Sequence, residues 1–254
     1  MKNAAIVIVT SIMLLTIVSC EDMMGDFLEK APGVDVTEDT IFSSRSQVEM
    51  FLASIYEYGV HSNLGLGSPD NGAPAIANSA GTIDAGATDE AEACANWYDP
   101  QKWNNASVSP DNTDDPRFSH RFTAIRKVTV MLDRVDEVPD ITKEYANQLK
   151  AESKFIRALN YFEMFKRYGG VPIIDHRLQL DENLKIPRSS VEDVVNFIVK
   201  DCDEAIPDLP INQLGVLRGR ATRGAALALK ARTLLYAASD LFNTDKPYLD
   251  FGTN

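Results

Sequence analysis

Cysteine and histidine are both scarce: three of each in 254 residues. Neither type falls at zinc-ligand or redox-dithiol spacing, so the chain offers no metal motif. His61, His120 and His176 stand apart from one another and from every cysteine, and each reads as a surface or loop residue. No Gly-x-Ser-x-Gly elbow or other nucleophile context is present, which removes the commonest serine-hydrolase reading. Positive charge is also thin. Lys and Arg number 25 against 37 Asp and Glu, a net charge of −12, and no basic run interrupts the chain. Nucleic acid and anionic lipid surfaces therefore have little to hold. The carboxylates could include a glycosidase pair, but carboxylates on helix faces usually serve to solvate them. The expectation is a protein that binds rather than catalyses, with no cofactor and no metal.

The ends and turns are informative. Ala4 to Val18 is an apolar run of signal-peptide length, too short for a comfortable membrane span. It closes on Ile-Val-Ser-Cys, so residues 1–19 read as a leader and Cys20 as the lipid-acceptor residue of a lipoprotein box. Glu21, Asp22 and Asp26 follow as an acidic tether. Residues 20–40 read as an acylated, extended arm, and residues 41–254 as one helical domain. Cys94 and Cys202 could pair in an oxidising compartment or remain separate thiols; the second reading, with Cys202 buried on a helix, is the expected one.

Helical patterning begins at Ser44, where Ser44 and Gln47 match a capping box before Val48, Phe51, Leu52, Ile55 and Tyr56. From 59 to 113 periodicity gives way to glycine and proline, interrupted by a short helix expected from Thr88 towards Asn96. Asp115 and Pro116 open the next helix, which presents Phe118, Phe122, Ile125, Thr129, Leu132 and Val135 and closes at Pro139. A long helix is expected from Thr142 to Tyr168. Its Phe155, Leu159 and Phe162 recur at helical spacing, Ala158, Tyr161 and Phe165 widen the stripe, and such a helix must be buried. Gly169 and Gly170 are expected to supply the positive φ of its stop, Lys166 and Arg167 suit its C-terminal dipole, and Pro172 bars continuation. Ser189 with Glu192 reads as a second capping box before Val191, Val194, Val195, Ile198 and Cys202. In the last helix, Ala221 to Phe242, the residues Gly224, Ala225, Ala228, Ala231 and Ala238 leave one side nearly bare, which predicts close approach of a neighbouring helix.

The run Ala-Glu-x-x-Phe-x-Arg-Ala-Leu-x-Tyr-Phe from Ala151, ending in Tyr-Gly-Gly-Val-Pro-Ile, resembles the signature of the SusD/RagB family of outer-membrane lipoproteins. So does the Gly-x-Ala-x-x-Gly-x-Ala-Ala-x-Ala-Leu-x-Ala-Arg stretch at Gly219 to Arg232. The resemblance implies an all-α fold of tetratricopeptide-like antiparallel helix pairs, here with a long irregular insertion at 59–113. It further implies a Bacteroidetes protein anchored in the cell outer membrane, facing outward, that passes an oligomeric nutrient to a SusC-like TonB-dependent transporter. A glycan is the favoured ligand and a peptide the competitor, since the RagB branch shares the scaffold motifs. Members are usually about twice this length, so the chain corresponds to the N-terminal part of that pattern.

The candidate ligand contacts lie in the insertion. Trp97, Tyr98 and Trp103 sit within seven residues, beside Asn104 and Asn105. Flat apolar faces interleaved with short amides match the alternation of C–H faces and hydroxyls on a pyranose ring. The alternative is that the tryptophans form the loop's own small core; Trp103 leans towards that role, Trp97 and Tyr98 towards the ligand. Tyr161, Tyr168, Arg157 and Arg167 are read as packing and capping residues. A scaffold that docks a protein on its helix pairs is the other reading of the whole.

Overall fold

A computed structural model of the chain describes residues 37–60, 88–89, 104–109, 118–179 and 181–244. Two compact units are present, Met1–Ile41 and Phe42–Asn254. The described part of the first is a single helical turn, Glu38–Ile41, in which the Thr37 hydroxyl accepts the Thr40 N–H at 3.3 Å. The leader, Cys20 and the acidic tether lie outside the described residues. The second unit is helical, and among the described residues extended pairing is limited to one bridge position at Ser109.

The larger unit is built on α3, Lys143–Tyr168, a 26-residue helix roughly 39 Å long at 1.5 Å per residue. It is preceded by α1, Arg45–Gly59, and α2, Phe118–Arg134, and followed by α4, Val191–Ala205, and α5, Arg223–Ala237. Helix α3 packs against α1, α2 and α4, so little of its middle reaches water. Ile156, Ala158, Tyr161, Phe162, Met164 and Phe165 are all buried, each large side chain contributing about 1.5–3 kcal/mol. Ile125 of α2, Val194 and Ile198 of α4 and Leu229 of α5 complete that core. The expected antiparallel pairing of α2 and α3 follows from the short Val135–Glu137 3-10 turn between them.

The start and stop of α3 are local. The Thr142 hydroxyl accepts the Tyr145 N–H at 3.2 Å, and the Gly169 N–H closes on the Phe165 carbonyl at 2.8 Å. Gly169 has φ 69°, as a helix stop requires. Gly170 is needed for a different reason than the one expected from sequence. Its backbone φ is not positive; instead a Cβ there would collide with the carbonyl oxygen of Ser189. The glycine lets the chain before α4 pass directly over the turn.

Four further expectations need correction. Ser44 is the N-cap residue of α1, but its side chain makes no capping bond. Asp140, from the α2–α3 connection, accepts the Arg45 N–H at 2.5 Å in its place. The second capping box lies one residue later than read: Ser190 accepts the Asp193 N–H at 3.0 Å, and Asp193 accepts the Ser190 N–H at 3.3 Å. The two readings differ by one because Ser189 and Ser190 are each followed, three residues on, by an acid.

The small-residue side of α5 is not its packing side. Gly224, Ala228, Ala231 and Ala238 are exposed, whereas Ala226, Leu229 and Thr233 face the core. The exposed side also carries Leu227, 50% exposed, and Leu235, 73% exposed. The helix is shorter than expected, ending at Ala237 before a turn to Asn243.

Close approach occurs instead where α1 meets α3. Gly59 ends α1 with its Cα against Ile156, where a Cβ would overlap the Ile156 Cγ2 methyl. Asn160 fixes the contact by donating to the Gly59 carbonyl at 3.0 Å and to the Ile156 carbonyl at 2.8 Å.

Candidate functional site

Of the residues singled out for ligand contact, Trp97, Tyr98 and Trp103 lie outside the described residues. So does most of the short helix expected from Thr88. Asn104 and Asn105 are described and exposed, in a tight turn over 104–109. The Asn105 side-chain oxygen accepts both the Ser107 N–H, at 3.1 Å, and the Ser107 hydroxyl, at 2.6 Å. Ala106 between them has φ 58°, a left-handed residue held by that local bonding. Asn105 therefore spends its side-chain carbonyl on shaping the turn.

The helices contribute two buried ion pairs, neither legible in the sequence. Arg157 of α3 closes on Asp201 of α4 through Nε to Oδ2 and Nη2 to Oδ1, both at 2.7 Å, while its Nη1 reaches the Asp175 carbonyl at 3.1 Å. The guanidinium lies over the Phe197 ring, 4.9 Å from its centroid. Glu152, wholly buried, accepts from Arg220, Gln148 and Tyr56. Tyr161 accepts the Ile174 N–H at 2.7 Å, and burial pushes its phenol up to about 12. The expectation that Arg157 and Tyr161 serve packing holds; they fix the connector 171–190 against α3. Arg167 likewise folds back on Glu163 of its own helix, at 2.5 Å.

Histidine placement is mixed. His176 is exposed on the connector, its ring nitrogens 2.8 Å from Asp175 Oδ1 and 3.1 Å from Glu182 Oε2. The Asp175 bond, more than any other influence, raises its pKa above the ordinary imidazole range. His120, expected at the surface or in a loop, sits half-buried on α2 with its ring 6.1 Å from that of Tyr58. Cys202 is buried and unpaired, its thiol pushed up to about 12 by burial. Among the described residues no group of three or more His, Cys, Asp and Glu is placed to hold a metal ion. No helix among them is long and apolar enough to cross a membrane.

One concave feature lies where the start of α2 meets the end of α3. The Gly169–Gly170 turn lets Ser189 donate its N–H to the Val171 carbonyl at 3.2 Å, and this contact brings the chain at Arg188 beside Val171 and Pro172. With Phe118 and Tyr168 these residues line a pocket of about 340 Å³, at the small end of ligand-pocket sizes. The Phe118 and Tyr168 rings meet edge-on at 5.4 Å, and Phe118 remains 38% exposed. The sequence places Phe118 on the apolar face of α2 and gives Arg188 no role. Only the Gly-Gly-Val-Pro turn hinted that a second segment passes so close.

Comparison with known proteins bears on the whole helical unit. Residues 26–235 match the model of the SusD-like family described as starch-binding associating with outer membrane. A SusD-like protein of Formosa agariphila is 26% identical over 231 residues, covering 89% of this chain and 42% of the relative. A SusD-like protein of Bacteroides ovatus is 24% identical over 237 residues, covering 92% and 39%. Among solved structures, a SusD-like protein from Bacteroides fragilis superposes with a TM-score of 0.59 at 30% identity, over 82% of this chain and 38% of that one. A laminarin-binding SusD-like protein gives 0.65 at 21% identity, over 77% and 41%. The chain spans about two fifths of the length of the curated relatives it matches. These likenesses carry the architecture: all-α, in tetratricopeptide-like antiparallel pairs.

Proposed function

The chain belongs to the SusD-like family, and from that membership we propose that it is a lipid-anchored outer-membrane protein that binds an oligomeric glycan and hands it to a SusC-like TonB-dependent transporter. Binding, not catalysis, is its task. Cys20 carries the lipid, the acidic tether after it leads to the outer face, and residues 41–254 form the ligand-bearing helical domain. Trp97 and Tyr98 provide the stacking faces, with Trp103 bracing the loop and Asn104 and Asn105 meeting hydroxyls. The observation that carries the reading is the family match across 26–235, which takes in every one of these loop residues. The exposed amides of the 104–109 turn are consistent with it.

A specific observation favours a second reading. The exposed Leu227, Leu234, Leu235 and Tyr236 of α5 would suit a scaffold that docks another protein on a helix face. The two readings separate by titration calorimetry with neutral and acidic oligosaccharides and with peptides. Under the glycan reading, Trp97→Ala loses up to about tenfold in affinity. Equal binding by variant and wild type removes the loop site, and absence of glycan binding by either leaves the scaffold. Cys20→Ser is expected to move the protein from the membrane to the soluble fraction.

A further inference from the structure

We infer that the pocket framed by Phe118, Tyr168, Val171, Pro172 and Arg188 is a subsite for a sugar ring that bears a carboxylate, a uronate unit of an acidic glycan. The inference rests on the glycan reading above but uses none of the loop residues named there. Three features of the pocket point the same way.

Its walls are apolar and flat. Phe118 stands edge-on to Tyr168 at 5.4 Å and to Phe122 at 5.1 Å, so the Phe118 ring is held in place yet open on one side. Val171 is buried beneath, and Pro172 adds a rigid ring beside it. Such a surface gains by covering the C–H face of a pyranose. Its shape is also fixed before any ligand arrives, because the Ser189 to Val171 backbone bond and the Gly170 crossing set the distance between the two chain segments.

Among the described residues the rim carries one cation, Arg188. Arg157, Arg167 and Arg220 of the same unit are each closed by a carboxylate. Arg188 has no ion pair among the described residues, in a chain where acids outnumber bases 37 to 25. A guanidinium is a rigid fork of donors that fits a carboxylate through two parallel bonds. Beside an aromatic wall it selects a ligand that is apolar on one face and anionic at its edge. A neutral hexose satisfies the wall but not the fork; a uronate satisfies both.

The test is titration calorimetry on the full chain with a short oligogalacturonate and with its methyl ester, which keeps the ring and removes the charge. The acid is expected to bind about tenfold or more tightly than the ester, and that preference is expected to shrink as salt is raised. Arg188→Gln should abolish the preference while leaving the melting temperature unchanged. Arg188→Lys, which keeps the charge and loses the fork, should recover only part of it. Equal binding of acid and ester by the wild type overturns the inference, as does an acid preference that survives Arg188→Gln. A neutral glucan bound through Trp97, with no acid preference, removes this subsite and keeps the proposed function. Binding of no glycan by the wild type overturns both.

Discussion

Glu152 and Arg220 form a closed pair: Nε donates to Oε2 at 2.7 Å and Nη2 to Oε1 at 2.8 Å, with the carboxylate wholly buried. The same carboxylate accepts the Tyr56 hydroxyl at 2.7 Å and the Gln148 amide at 3.0 Å. Tyr56 Oη in turn accepts the Ala221 N–H at 2.7 Å. One acid on α3 thus ties α1 to the segment that leads into α5.

Removing either member of that pair leaves the other charge buried and unmatched. Glu152→Ala is expected to cost about 3–5 kcal/mol. Tyr56→Phe strands the Ala221 N–H and takes one of the two donors from Glu152 Oε2, at about 1–3 kcal/mol. Urea unfolding followed by circular dichroism reads both, and a Glu152→Ala midpoint equal to wild type would show that the pair contributes no net stability.

The two glycines at the end of α3 should fail for different reasons. Gly169→Ala places a side chain at φ 69°, a strain of about 1–2 kcal/mol. Gly170→Ala drives a methyl into the Ser189 carbonyl, for about 1–3 kcal/mol of overpacking. Gly170→Ala should also displace Arg188 and weaken oligogalacturonate binding, which Gly169→Ala should not. Thermal melts paired with calorimetry separate the two variants.

His176 is raised by its bond to Asp175 first and Glu182 second. Its clasp is complete below the ordinary imidazole value near 6.5 and is lost as pH rises through the higher folded value. A proton NMR titration should therefore place His176 above a free imidazole, and Asp175→Asn should bring it down. The group is exposed, so the melting temperature should hardly move with this titration.

Cys202 is buried and its thiol lies up to about 12. At pH 8 it should resist iodoacetamide in the folded protein and react once the chain is unfolded in urea. Peptide mapping after alkylation reads the site, and rapid labelling of the native protein would contradict its burial.

The sequence disclosed helices better than it disclosed what holds them. The stripe of Tyr161, Phe162 and Phe165 and the Thr142 and Gly169 boundaries were legible because periodicity and caps act within a few residues. Asp140 capping α1 was not, because the acceptor lies 95 positions away and a silent Ser44 looked sufficient. The α5 stripe misled for a related reason: small residues show where a helix could approach, while Leu229 and Thr233 show where one does. Buried Glu152 and Asp201 looked like solvating charges, since only the packed structure tells which carboxylates face inward. The candidate site divides likewise. Trp97 and Tyr98 were chosen by chemistry alone, whereas Phe118 and Arg188 meet only because a turn of two glycines lets two segments cross.

The hydrogen bond from Ala221 to Tyr56 joins positions 165 apart. A ribosome builds the first helix of this unit long before it builds the residue that completes that helix's contacts. Until residues 220 and 221 are in place, the acid at 152 lacks its arginine and Tyr56 lacks its backbone donor; closing these contacts brings together positions far apart in the chain, a step with a high loop-closure cost.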